Sequence, residues 1–141
     1  SEMCIRDSMS TIKKTTKEDD QVVKETYQDI RDTRNTNYIG NFWKYLAFDP
    51  CLLKEVWSDV KNLMTKETLI DKKSKEMIYM AVSITNNCSY CTHSHTASAK
   101  KLGMTDEEHA EFLKIVALAA KTNQLVNGLQ VPVDEIFDAD K

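Results

Sequence analysis

Cys88-Ser-Tyr-Cys91-Thr-His93-Ser-His95 is the stretch around which this chain is organised. It contains two of the four cysteines and two of the three histidines of the sequence. The run that follows predicts a helix, in which Cys88, Cys91 and His95 share one face. Asn86-Asn87 predicts a break that places Cys88 near the helix N-terminus, where the helix dipole favours a thiolate. The stretch therefore predicts redox chemistry.

Composition sets the broad class. A chain of 141 residues with 41% apolar content is large enough to bury a core. The net charge of −3 gives no basic footprint for nucleic acid, and no apolar run is long enough to cross a membrane. Without an apolar signal core, a cytoplasmic location is expected. In that reducing compartment, a C-x-x-C motif is more often catalytic or metal-binding than structural.

Helical periodicity and scarce glycine and proline predict an all-α bundle. One helix is expected over 38–47, and a second over 50–64, with Asp49 as N-cap and Pro50 at the first position. Their large apolar residues exceed what one core of this size requires, which predicts a homo-oligomer. Cys51 is interpreted as a small buried hydrophobic residue.

The two ends of the chain are expected to contribute little to the folded core. Residues 1–20 are predicted to be a disordered or non-native leader, because the first eight residues look foreign and Met9 is a plausible natural start. Cys4 is excluded from fold arguments for the same reason. Residues 21–141 are predicted to form a single domain, starting with a short polar helix over 21–34 and ending in a loosely packed acidic tail.

Two further helices flank the cysteine motif. One is expected from Asp71 or Ser74 to Thr85, apolar on most sides and therefore buried. After Gly103, a capping box of Thr105 and Glu108 predicts a long last helix ending near Asn127-Gly128.

Glu76 is unusual inside such an apolar helix, because a buried carboxylate needs a partner. It lies ten residues before the turn at Asn86-Asn87, and His95 lies eight residues after it. At the rise of an α-helix, both side chains reach similar heights on adjacent antiparallel helices. Glu76 is then expected to orient His95, and His95, directly or through a water, to deprotonate a cysteine.

These residues resemble the alkyl hydroperoxidase D-like (AhpD-like) proteins of the carboxymuconolactone decarboxylase superfamily. Glu76, eleven residues, Cys88-x-x-Cys91, three residues and His95 match their E-x11-C-x-x-C-x3-H signature. The resemblance covers roughly residues 38–128. One position departs from it: the well-studied branch has a histidine between the cysteines, where this chain has Tyr90, and His93 follows instead.

The resemblance implies an all-α, homo-oligomeric protein that reduces small hydroperoxides through its thiols. Cys91 is the implied peroxidatic cysteine and Cys88 the resolving one, while Glu76 and His95 form the implied proton relay. Tyr90 and His93 are candidates for residues that support this site. No cofactor is implied, but an external dithiol, of the thioredoxin or lipoyl type, is needed to reset the disulfide.

Other interpretations remain open at this level. Cys88, Cys91, His93 and His95 are competent zinc ligands, yet four ligands within eight helical residues cannot easily surround one tetrahedral ion. A c-type haem needs histidine directly after Cys91, where Thr92 stands. Non-peroxidase alternatives are a general disulfide oxidoreductase, a decarboxylase-like enzyme, or an inactive assembly or binding module. The decarboxylase branch does not depend on a C-x-x-C, so the motif favours redox chemistry.

Overall fold

The computed structural model describes residues 10–14 and 17–140, and all regular structure within these ranges is helical. The all-α prediction is therefore confirmed. Expectations for residues 1–9, including Cys4, lie outside the described residues. The described helices fall into two compact units, divided between Leu69 and Ile70. The prediction that 21–141 forms a single domain stays a prediction.

The first unit contains α1 (Gln21–Arg34), α2 (Asn41–Leu46) and α3 (Pro50–Met64). The Asp20 side chain caps α1 by accepting hydrogen bonds from the backbone N–H groups of Val22 and Val23. Asp49 caps α3 with Pro50 following it, as the sequence predicts. Only the short segment α2 is helical within the range 38–47, because its last turn gives way to a turn at Ala47 and Phe48.

Two tryptophans centre the core of this unit. The rings of Trp43 and Trp57 pack edge to face, with their centroids 5.5 Å apart, which is a favoured geometry for aromatic pairs. The indole N–H of Trp57 donates a hydrogen bond of 2.8 Å to Asp29, which also pairs with Lys61. These two hydrogen bonds lower the pKa of Asp29. The buried indole thereby keeps a partner for its polar group.

The sequence-based account of two residues in this unit is corrected by the structure. Cys51 is exposed, not a buried hydrophobic residue, because it lies in the first turn of α3 on the side away from Leu53 and Trp57. Phe42 is 44% exposed, although it belongs to the predicted apolar stripe, whereas its neighbour Trp43 is buried.

The second unit contains α4 (Lys72–Thr85), α5 (Ser89–Lys101), α6 (Asp106–Leu129) and a 3-10 turn over Glu135–Phe137. Asn87 adopts φ +57° between α4 and α5, and the backbone N–H of Cys88 then donates to the carbonyl of Ser83. This tight turn folds the two helices into an antiparallel hairpin. A left-handed residue is tolerated there because Asn visits that conformation more readily than most residues.

Local signals also set the start of α6. Gly103 adopts φ +99°, which suits a residue without Cβ just beyond a helix C-terminus. Thr105 and Glu108 then form the predicted capping box, with reciprocal hydrogen bonds of 3.0 Å. The helix continues to Leu129, slightly beyond the predicted end near Gly128.

The core of the second unit is small and comprises Met80, Ala99, Met104 and Phe112. The prediction that α4 is buried on most sides is wrong, because Ile78 and Val82 are both more than half exposed. One face of α4 packs into this core and the opposite face is open. No helix in the described ranges is long and apolar enough to cross a membrane.

Met80→Ala is expected to reduce the free energy of unfolding by about 2–5 kcal/mol, because Met80 is fully buried and its loss leaves a cavity. Ile78→Ala, on the same helix but 53% exposed, is the matched control and is expected to cost less than about 1 kcal/mol. Denaturant titrations of both variants make the comparison. Equal losses would contradict the assignment of Met80 to the core.

Candidate active site

Cys88 occupies the N-cap position of α5. Its Sγ accepts a hydrogen bond from the backbone N–H of Cys91 at 3.4 Å, in the place where a serine or aspartate oxygen usually caps a helix. The N-terminal end of the helix dipole and the unsatisfied N–H groups there stabilise negative charge on sulfur. The structure thus confirms the predicted position of Cys88 at the start of the cysteine helix.

The two thiols differ in acidity. Hydrogen bonds from the thiol and the backbone N–H of Cys91 lower the pKa of Cys88. Burial, the hydrogen bond that its own S–H donates to Cys88, and the negative charge on Cys88 raise the pKa of Cys91 to about 11. The pair therefore carries its first negative charge on Cys88, while Cys91 holds the shared proton.

Glu76 and His95 meet across the α4–α5 hairpin. Nδ1 of His95 lies 2.6 Å from Oε2 of Glu76, and the two side chains are only 18% and 12% exposed, respectively. An ionised carboxylate can only accept a hydrogen bond, so the proton of this contact is assigned to Nδ1, and Nε2 is the ring nitrogen left for other partners. The approach of these residues follows the helix register expected from the sequence.

Tyr79 is a site residue that the sequence argument missed. Its ring stacks on His95, with the centroids 3.7 Å apart and the planes 22° from parallel. Burial raises the pKa of Tyr79, and the negative charges of Cys91, Glu76 and Cys88 raise it further, in that order of effect. Tyr79 stands one helical turn after Glu76, and this spacing was the available signal.

The remaining candidates lie at the edge of this cluster. His93 is exposed, and its Nδ1 lies 2.9 Å from the carbonyl oxygen of Ser89, a local contact within α5. Tyr90 is half exposed on the first turn of the same helix. In the described part of the chain, no three His, Cys, Asp or Glu side chains are grouped in a way that could hold a metal ion.

The fold and the site together define an all-helical protein with a vicinal dithiol beside an imidazole–carboxylate pair. The sequence profile of the carboxymuconolactone decarboxylase family matches residues 52–134, more than half of the chain. The chain belongs to this family. The resemblance to AhpD-like proteins is thereby confirmed.

A solved structure shares the fold over most of the chain. The crystal structure of the alkylhydroperoxidase AhpD core from Rhodospirillum rubrum matches with a TM-score of 0.88 and 48% identity. The match covers 92% of this chain and 97% of that one.

Two curated relatives match shorter segments. The alkyl hydroperoxide reductase AhpD of Mycobacteroides abscessus is 40% identical over 55 residues, which is 39% of this chain and 31% of the relative. The uncharacterized protein YdfG of Bacillus subtilis is 37% identical over 43 residues, 30% of this chain and 29% of the relative. The chain thus spans about a third of the length of the curated relatives that it matches.

Removing one thiol is expected to shift the pKa of the other in a direction set by their contact. In Cys88→Ser, Cys91 should ionise at lower pH than about 11, because the neighbouring negative charge is lost. In Cys91→Ala, Cys88 should ionise at higher pH, because it loses the S–H donor and keeps only the backbone N–H. Rates of iodoacetamide alkylation against pH measure both values.

These titrations are best made with Cys4→Ser and Cys51→Ser in every variant, so that only the pair is alkylated. Unchanged ionisation of each remaining thiol would show that the two sulfur atoms do not interact.

Proposed function

We propose that this protein is a thiol-dependent peroxidase that reduces small hydroperoxides through the Cys88–Cys91 pair. The observation that carries the proposal is the placement of this dithiol on the same helix as His95, whose Nδ1 pairs with Glu76. Two of the relatives above carry the names alkylhydroperoxidase and alkyl hydroperoxide reductase, which supports the same chemistry.

Cys91 is the proposed attacking residue. On α5 it lies one helical turn before His95, whereas Cys88 lies about two turns before it at the N-cap. Its thiolate attacks the terminal peroxide oxygen, the O–O bond breaks, and the products are a Cys91 sulfenic acid and an alkoxide. A thiolate of high pKa is also intrinsically the stronger nucleophile.

The lowered pKa of Cys88 disagrees with the choice of Cys91 as the attacking residue, because the first thiolate forms on Cys88. Transfer of the shared proton from Cys91 to Cys88 converts that form into the attacking one without any proton from solvent. Cys88 then carries the S–H that it needs for the next step. Because the pKa of Cys88 is lowered, the pair ionises readily. Because burial raises the pKa of Cys91, the thiolate is a stronger nucleophile once the charge is on Cys91.

The proposed proton relay serves the leaving oxygen. Glu76 accepts the Nδ1–H of His95, so Nε2 can take up the proton that the dithiol loses on its first ionisation and then donate it to the alkoxide, which leaves as the alcohol. The described residues include no hydrogen bond between the Cys91 thiol and the His95 ring, so a water molecule completes the path in this proposal.

Formation of the Cys88–Cys91 disulfide and its reduction complete the proposed catalytic cycle. The Cys88 thiol condenses with the sulfenic acid, which forms the disulfide and releases water. An external dithiol of the thioredoxin or lipoyl type then transfers two electrons to the disulfide and becomes a disulfide itself. The protein supplies no cofactor in this scheme.

Self-association is part of the proposal. Helix α6 presents an exposed apolar face formed by Ile115, Leu118, Leu125 and Leu129. Exposed apolar faces of this kind are typical of subunit contacts, so a homo-oligomer is proposed.

Disulfide exchange with another protein is the second candidate function. The observation that favours it is the lowered pKa of Cys88, since a thiolate at a helix N-terminus also attacks disulfides. This function predicts Cys88, rather than Cys91, as the attacking residue, so the variants described next distinguish the two candidates.

Cys88→Ser is expected to consume one equivalent of peroxide and stop at a Cys91 sulfenic acid that dimedone traps. Cys91→Ser is expected to react little faster than free cysteine, because it lacks the attacking sulfur. Mass spectrometry of the dimedone adducts locates the oxidised residue. Sulfenic acid on Cys88 in Cys91→Ser, with none in Cys88→Ser, would reverse the roles, and no reaction in either variant or in the wild type would end the peroxidase proposal.

Glu76→Gln is expected to slow peroxide reduction by roughly 10²-fold while the fold is retained, because the amide is a weaker partner for the His95 Nδ1–H than the carboxylate. Stopped-flow rates with excess peroxide measure the effect. Glu108→Gln is the control, since that carboxylate pairs with Lys73 and caps α6. Equal rates in Glu76→Gln and the wild type would exclude the relay.

A further inference from the structure

Tyr79 and Glu76 hold the imidazole of His95 from two directions. Glu76 contacts its edge through the 2.6 Å hydrogen bond to Nδ1. Tyr79 covers its face, at 3.7 Å between ring centroids and 22° between planes. Both residues belong to α4, and the fully buried Met80 anchors that part of the helix in the core. The helix thus offers a carboxylate and an aromatic ring, one turn apart, to a single side chain on α5.

The hydrogen bond to Glu76 alone does not fix the orientation of the His95 ring. Rotation about the second side-chain torsion of a histidine has a broad energy profile, and hydrogen bonds to carboxylates tolerate a wide range of angles. The imidazole can therefore tilt about the Nδ1 contact, which moves Nε2 on the other side of the ring. The Tyr79 ring stacked on one face of the imidazole restricts this tilt, because tilting would move one edge of the imidazole away from Tyr79 and push the other edge into a steric clash with it.

We propose that Tyr79 is a positioning residue whose ring fixes the plane of the His95 imidazole and thereby the location of Nε2. The role in peroxide reduction rests on the proposed function, whereas the effect on the His95 ring does not. The proposal concerns the aromatic face, not the phenol hydroxyl. It accounts for a partly exposed aromatic residue, 38% accessible, that stacks on the largely buried imidazole of His95.

The surroundings of Tyr79 keep its phenol uncharged, as this role requires. Burial and the charges of Cys91, Glu76 and Cys88 raise the pKa of Tyr79, so the phenol keeps its proton at neutral pH. A phenolate would add a further negative charge beside the Glu76 carboxylate and the single charge shared by the two thiols, and would oppose formation of the thiolate. Tyr79 can remain against His95 through the catalytic cycle because it stays uncharged.

The test compares Tyr79→Phe, which keeps the stacked ring, with Tyr79→Leu, which removes it. Tyr38→Leu is the control, because Tyr38 is an exposed tyrosine of the first unit. The first measurement uses the reduced full chain without peroxide and follows solvent exchange of the His95 Nδ1 proton by nuclear magnetic resonance. The second is the rate of peroxide reduction, and circular dichroism checks that each variant is folded.

Tyr79→Leu is expected to increase the exchange rate of the Nδ1 proton and decrease peroxide reduction, each by roughly two- to tenfold, the range that corresponds to the strength of aromatic pairs. Tyr79→Phe and Tyr38→Leu should match the wild type in both. Wild-type exchange in a folded Tyr79→Leu would overturn the proposal, and so would Tyr79→Phe behaving like Tyr79→Leu. If the wild type fails to reduce peroxide, the exchange measurement still decides the role of Tyr79.

Discussion

The register of α4 against α5 is the constraint on which the site depends. The turn at Asn87 fixes where the chain reverses, and the packing of Met80 and Ala99 into one core fixes how the two helices face each other. With both in place, Glu76 meets His95 within hydrogen-bonding distance. A shift of one residue in either helix would rotate its side chains by about 100° and separate this pair.

That pairing also explains how a carboxylate can occupy a nearly buried position. Desolvation of an unpaired charge costs several kcal/mol, on the order of the total stability of a small domain. The 2.6 Å hydrogen bond to His95 offsets part of this cost, and Tyr79 shields one face of the imidazole from water. The hydrogen bond that makes a buried Glu76 tolerable also holds the proton of His95 on Nδ1, so stability and the proposed chemistry depend on the same contact.

In the dithiol, the sulfur atoms of Cys88 and Cys91 share a single negative charge. Cys88 takes the helix N-cap position, and its sulfur receives both the backbone N–H and the thiol of Cys91. Cys91 is more buried and sits beside a thiolate, so its own ionisation is strongly disfavoured. Two negative charges on sulfur atoms this close repel each other and do not form independently, so the two thiols behave as one titrating unit.

Most of the local structure could be predicted from the amino-acid sequence. The bounds of α3, the capping box of α6 and the position of Cys88 at the start of α5 follow from residues close together in the chain, because caps and helical periodicity are interactions over three or four residues. Even the meeting of Glu76 with His95 could be predicted, because a hairpin of two helices has a nearly fixed geometry around its turn.

Which helix faces are buried, and which side chains touch beyond that hairpin, depends on how the helices pack and could not be predicted from the sequence. Cys51 and Ile78 share the apolar character of core residues, yet both are exposed, because burial depends on whether another element packs there. The stack of Tyr79 on His95 depends on two side-chain conformations that no spacing rule fixes. The unequal acidity of Cys88 and Cys91 likewise comes from burial and contact distances, which exist only once the helices are packed.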